Sequence, residues 1–243
     1  MEIMSLLGVS KSFGSIRVAD ELNLSVKRGE ALGVIGPNGA GKTSMFNLIT
    51  GIVEADNGAI TFDGKEISSL PPHIRCRAGI ARSYQVPRPF FEMTVFENVL
   101  VGATFGGERD TTSAVDCSVR VLEKTGLLSK ANRLAGTLPL LDRKRLELAR
   151  ALATDPALLL LDEIAGGLTE QEIGELIEMI HTLRTTGISI IWIEHIMHAL
   201  LAVVDRIAVL NLGAVILEGS PRDVMSSEVV KEIYLGGGRE QDS

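Results

Sequence analysis

Residues 36–43 read Gly-Pro-Asn-Gly-Ala-Gly-Lys-Thr and satisfy every specified position of the pattern G-x-x-x-x-G-K-[ST]. Gly36, Gly39 and Gly41, with Pro37, Asn38 and Ala40 between them, let the backbone curl so that successive N–H groups point at phosphate oxygens. Lys42 supplies a mobile cation for terminal phosphates, Thr43 supplies a hydroxyl for Mg²⁺, and Ser44 opens a helix whose positive end adds to the field. A second cluster follows the apolar run 157–161, where Asp162 and Glu163 stand at the carboxyl end of a buried strand. Ligands bind at that edge of such sheets. Asp162 can hold Mg²⁺ through water, and Glu163 can accept a proton from water attacking a γ-phosphate. His195 follows another apolar strand, 190–193, and could report the γ-phosphate. Gln85 could reach the metal or the attacking water. On chemistry alone the last two are weak signals, since a lone histidine is more often structural or on the surface.

The elements around these residues alternate in type. The apolar run 31–35 reads as a strand, the loop follows it, and 44–49 reads as a helix, which is the context the motif requires. Residues 3–35 read as short strands punctuated by Gly8, Gly14 and the turn at 27–30, and 58–64 as a strand ending in an Asp-Gly turn. Pro71-Pro72 opens a short helix, and 79–84 reads as a strand. Pro87 and Pro89 then break regular structure, and Thr94 with Glu97 forms a capping-box signature. Helices are expected at 113–125 and 140–153, so about 86–150 reads as a helical subdomain inserted in an α/β core formed by 1–85 and 151–236. The leucine run ending at 161 has the continuous apolarity of a strand buried on both faces. After it come a helix (170–186), a strand (188–193), a helix (195–204), a hairpin (206–218) and a last helix after Pro221. The tail after Gly236 reads as disordered.

Composition narrows the function classes. At 243 residues, 45% hydrophobic and only 4% aromatic, the chain is sized for one α/β domain with an aliphatic core. A net charge of −7 argues against a nucleic-acid face and against electrostatic binding to acidic lipid. Cys76 and Cys117 have no metal-like spacing, and a reduced cytosolic protein is expected. Neither a signal peptide nor a transmembrane helix is expected.

In order and spacing these elements resemble the nucleotide-binding subunit of ABC transporters over essentially the whole chain. The resemblance implies a P-loop NTPase core with an antiparallel β subdomain and an inserted α-helical subdomain, and ATP with Mg²⁺ as ligands. It implies that Phe13 stacks on the adenine; residues 36–43 and Ser44 hold the phosphates; Gln85, Asp162 and Thr43 attend the metal; Glu163 is the catalytic base; and His195 is the switch histidine. The stretches 79–85 and 93–99, with Glu194-His195 and the ending at 232–236, look like subunits serving branched-chain amino acid importers. The ending is shared with the lipopolysaccharide-export ATPase. Such a subunit is expected on the cytoplasmic face of the membrane, held by permease subunits near residues 86–100 and served by a periplasmic or extracellular solute-binding protein.

One stretch departs from the family. Where the family signature reads Leu-Ser-Gly-Gly-Gln, this chain has Leu138, Pro139, Leu140, Leu141 and Asp142. Proline has no N–H to donate, the leucines put side chains where backbone should approach phosphate, and Asp142 is expected to add a negative charge there. Ile164 and Thr169 replace two further family residues, a proline and an aspartate. In the family two subunits sandwich two ATP molecules, each between one phosphate loop and the other subunit's signature. The expectation is therefore a heterodimer with a second ABC ATPase subunit, one composite site competent and one degenerate. The alternatives are a regulatory ATP-binding subunit with little turnover, or a lipopolysaccharide-export-type ABC ATPase.

Overall fold

The computed structural model describes residues 1–236, and the expectation for the tail after Gly236 lies outside the described residues. The chain forms two compact units, one from residues 1–69 and 191 onward, the other from residues 70–190.

In the first unit, β1 (Glu2–Phe13) pairs antiparallel with β2 (Ile16–Lys27) and β4 (Asn57–Phe62), and β4 pairs with β5 (Lys65–Glu66), giving the order β2-β1-β4-β5. Leu6 stands opposite both Leu24 and Ile60, so one face of the sheet is aliphatic and buried, whereas Leu7 points out. β1 and β2 are longer than the sequence suggests. Gly8 makes no turn. It lies at a register shift between Leu6 and Val9, so the strand bulges and continues. The same unit holds β3 (Ala31–Ile35), buried at all five positions, and α1 (Lys42–Thr50).

The second unit runs through α2 (Pro72–Arg77), β6 (Ile80–Ser83), α3 (Val95–Val101), α4 (Thr111–Lys124), α5 (Leu140–Leu152), β7 (Leu158–Asp162) and α6 (Glu170–Arg184). β6 and β7 are parallel, with Ile80 opposite Leu158 and Ser83 opposite Leu161, and every residue of β7 is buried. α3 runs on into a π turn, Gly102–Gly106, where the sequence suggested only a loop after 106. Ser189 N–H donates to Ala157 O at 3.0 Å as β8 (Ser189–Ile193) leads back to the first unit. There α7 (Met197–Val203), β9 (Arg206–Asn211), β10 (Ala214–Gly219), α8 (Pro221–Ser226) and α9 (Glu228–Gly236) follow. β9 lies parallel to β3, with Val34 opposite Ala208, and forms a hairpin with β10. The expected single last helix is two helices, because Ser227 takes an extended ψ of 143°.

Both capping boxes are reciprocal. Thr94 Oγ1 accepts from Glu97 N–H at 3.2 Å while Glu97 Oε2 accepts from Thr94 N–H at 2.7 Å, and Thr169 with Glu172 repeats the arrangement on α6. Thr169 thus caps a helix where the family has an aspartate. Hydrogen bonds from the backbone and hydroxyl of Thr94 hold Glu97 below the usual glutamate range, and those of Thr169 do the same for Glu172. A lowered folded-state pKa stabilises above the unfolded value of 4.5 and is lost as pH falls through the lowered one. Thr94→Ala should therefore destabilise the protein at neutral pH. In urea denaturation the gap between wild type and variant should narrow as the pH is taken below about 4.5.

Candidate active site

The glycine-rich loop leaves β3 and enters α1 in a conformation that only glycine fits. Gly41 caps α1 at φ 102°, and a Cβ there would stand 2.4 Å from Val18 O. A Cβ on Gly36 would lie 2.1 Å from Leu210 O, so β9 presses directly on the loop's start. Gly213, in the β9–β10 turn, donates its N–H to Ala40 O at 2.9 Å and fixes the loop from the other side. No side chain caps α1, and the positive end of the helix favours an anion. Lys42 is buried, and its Nζ donates to Gly36 O (2.8 Å) and Pro37 O (3.0 Å). Thr43 is exposed, and Ser44 and Asn38 are half-buried or exposed at the loop's surface.

In the second unit the end of β6 meets the end of β7. Arg82 Nη2 donates to Asp162 Oδ2 at 2.6 Å, with both side chains buried. Gln85 Nε2 donates to Glu163 Oε2 at 2.6 Å. Glu163 has a φ of +47°, uncommon for a residue with a side chain. The structure thus joins two predicted residues, Gln85 and Glu163, and adds Arg82, whose role was not legible. Its signal was there: an arginine in a short strand whose other residues are buried requires a counter-charge. A cavity of about 330 Å³ lined by Arg109, Lys124 and Asp155 lies at the opposite end of β7 and holds none of the predicted residues.

Two predicted residues stand in the first unit. Phe13 ends β1 and is 52% exposed, with Lys11 Nζ 5.4 Å from its ring centroid; it is not the core aromatic that a lone Phe usually becomes. His195 is exposed after β8. Its backbone N–H donates to Glu194 Oε1 at 2.9 Å, and Ile196 N–H donates to the same oxygen at 3.3 Å, so the buried Glu194 shapes the turn that presents the histidine.

The stretch 138–142 corrects one expectation. Asp142 does not project a charge from the end of α5. It is 3% exposed, with Lys130 Nζ 2.5 Å from Oδ2 and Arg145 Nη1 4.0 Å from Oδ1, because it lies on the helix face turned toward those cations. Leu138 and Leu141 are buried as well. What reaches the surface at this helix end is Pro139 and Leu140, and no side chain caps the helix.

The chain is similar to known proteins over most of its length. The family described as "ABC transporter" matches residues 19–166. The high-affinity branched-chain amino acid transport ATP-binding protein BraF of Pseudomonas aeruginosa is 36% identical over 96% of this chain and 98% of its own length. The corresponding Escherichia coli protein, LivG, is 37% identical over the same shares. Among solved structures, a nucleotide-free ATP-binding cassette from an ABC transporter superposes with a TM-score of 0.88 at 32% identity, covering 96% of this chain and 99% of that one. The cassette MJ1267 in its ADP conformation gives 0.88 at 33% identity, covering 97% and 99%.

Gly41→Ala should abolish nucleotide binding, since it combines a disfavoured φ with a clash against backbone. In titrations with a fluorescent ATP analogue, an affinity within threefold of wild type would show that the loop does not carry binding.

Proposed function

This chain belongs to the ABC transporter family and is one of its ATP-hydrolysing subunits; from that premise we propose that it energises uptake of branched-chain amino acids or related small solutes. The observation that carries the substrate class is the near-complete, two-way coverage by relatives named for branched-chain amino acid transport.

The residues fit ATP and a divalent ion. Glycine positions that admit no Cβ and an uncapped helix start suit phosphate. Exposed Thr43 and the buried carboxylate of Asp162 are hard oxygen donors of the kind Mg²⁺ takes, and Gln85 is a third. Bound there, Mg²⁺ would neutralise charge on the β- and γ-phosphates. In this reading Lys42 leaves its carbonyl partners for the terminal phosphates. Glu163 takes the proton of the attacking water, with Gln85 orienting its carboxylate. His195 senses the γ-phosphate, and Phe13 stacks on the adenine. Among the described residues no helix is long and apolar enough to cross a membrane, so permease subunits would hold the chain at the membrane's inner face.

Residues 84–91 suit such a partner. Tyr84, Val86, Phe90 and Phe91 are exposed yet held in place. Buried Asn98 accepts from Phe90 N–H at 2.8 Å and donates to Phe90 O at 3.1 Å. The Arg150 guanidinium lies 5.0 Å from the Phe90 ring centroid and donates to Arg88 O at 3.0 Å. An ordered apolar surface of this kind marks a docking site. Phe91→Asp should leave the folded ATPase intact and abolish its co-purification with the membrane subunits.

The exposed end of α5, Pro139 and Leu140, supports pairing with a different ATPase subunit that carries an intact signature. ATP on residues 36–43 would then be turned over, and ATP on the partner only poorly. In the reconstituted transporter, Glu163→Gln should lower ATPase activity about 10²–10⁴-fold, the usual effect of losing a general base. The same change in the partner subunit should cost far less, and the reverse ranking would assign the degenerate site to this chain's own loop.

A further inference from the structure

We propose that Arg82 is a positioning residue for Asp162, fixing one carboxylate oxygen so that the other is presented to the divalent ion that accompanies ATP. The inference rests on the reading of Asp162 as a metal-holding residue. Its basis is the register of two parallel strands. Arg82 stands opposite Leu160. Side chains alternate along a strand, so Leu160 and Asp162 share a face, and Arg82 shares it with them. The arginine side chain has only to run along the strand direction to reach the carboxylate, and its Nη2 meets Oδ2 at 2.6 Å. With side chains 5% and 8% exposed, the pair is shielded from water and from salt.

Two features make the contact directional. The Arg82 guanidinium carbon lies 4.9 Å from the Tyr84 ring centroid, a stacking contact that restrains the guanidinium plane. The contact also uses Oδ2 alone, and among the described residues nothing bonds to Oδ1. Gln85 repeats the pattern one residue on, holding Oε2 of Glu163 at 2.6 Å. The end of β6 therefore orients both acids at the end of β7, one through a charge and one through an amide. Groups that orient a metal ligand in this way typically contribute 10–100-fold to metal affinity.

The test separates metal binding from nucleotide binding. Affinity of the full-length protein for a fluorescent, hydrolysis-resistant ATP analogue is measured in EDTA and in Mg²⁺, and the ratio is the metal enhancement. Arg82→Met should leave affinity in EDTA within twofold of wild type and reduce the enhancement about tenfold. Arg82→Lys keeps the charge without the planar fork and should recover part of it. Asp162→Asn should remove the enhancement, and adding Arg82→Met to it should change nothing further. Should Arg82→Met fail to fold by circular dichroism, Arg82→Lys carries the test alone, with an enhancement between those of wild type and Asp162→Asn. An undiminished or increased enhancement in the arginine variants, with Asp162→Asn still defective, would overturn the role of Arg82 only. Equal losses in EDTA and Mg²⁺ would reduce it to a structural contact. Full enhancement in Asp162→Asn would remove the metal reading itself.

Discussion

An acidic side chain buried at the end of a strand with no exposed residue must be neutralised without being consumed. β7 is leucine up to Asp162, and water cannot solvate that carboxylate at low cost. The neighbouring strand supplies the compensation with Arg82 on Asp162, and just beyond that strand Gln85 donates to the less buried Glu163. The contacts fall on Oδ2 of Asp162 and Oε2 of Glu163. Much of the second unit's architecture serves this junction: parallel pairing sets the register, and full burial of β7 makes it rigid.

The phosphate loop meets a different constraint, close approach of backbone to backbone. Leu210 O below Gly36 and Val18 O beside Gly41 leave no volume for a side chain, and the Gly213–Ala40 hydrogen bond closes the frame. Two separate stretches of chain, β2 and the β9–β10 hairpin, thus mould the loop, and its amides are preorganised before any ligand arrives. Preorganised donors lose little on binding, which is why such loops hold phosphate well.

At the start of α5 the same logic runs in reverse. Asp142 is committed inward to Lys130 and Arg145, and Arg145 also reaches Glu175 at 2.6 Å, so the helix is anchored in its own unit. The surface left at the helix end is a proline and a leucine. A helix end that is well anchored and presents a proline and a leucine can dock against a partner while offering a phosphate no side-chain donor. The exposed apolar side chains at 84–91 flank Gln85, and the backbone at Phe90 and Arg88 is held by Asn98 and Arg150.

How much could be read in advance follows from the range of each interaction. The phosphate loop, both β7 acids, most helices and strands and the Thr94 capping box are encoded within a few residues, by glycine spacing, apolar runs and cap chemistry, and they were legible. The reach of β1 through Gly8 was not, because pairing with both β2 and β4 outweighs a local turn signal. Nor was the inward turn of Asp142, whose partner Lys130 lies 12 residues away, or the Arg82–Asp162 pair, which spans 80. The sequence by itself determined which chemistry this chain carries, since phosphate and proton chemistry need particular residue types at short spacing. Only the tertiary structure decided how those residues are held and which face they present, because a counter-charge is chosen by proximity in space and strand register, neither of which is written in local order.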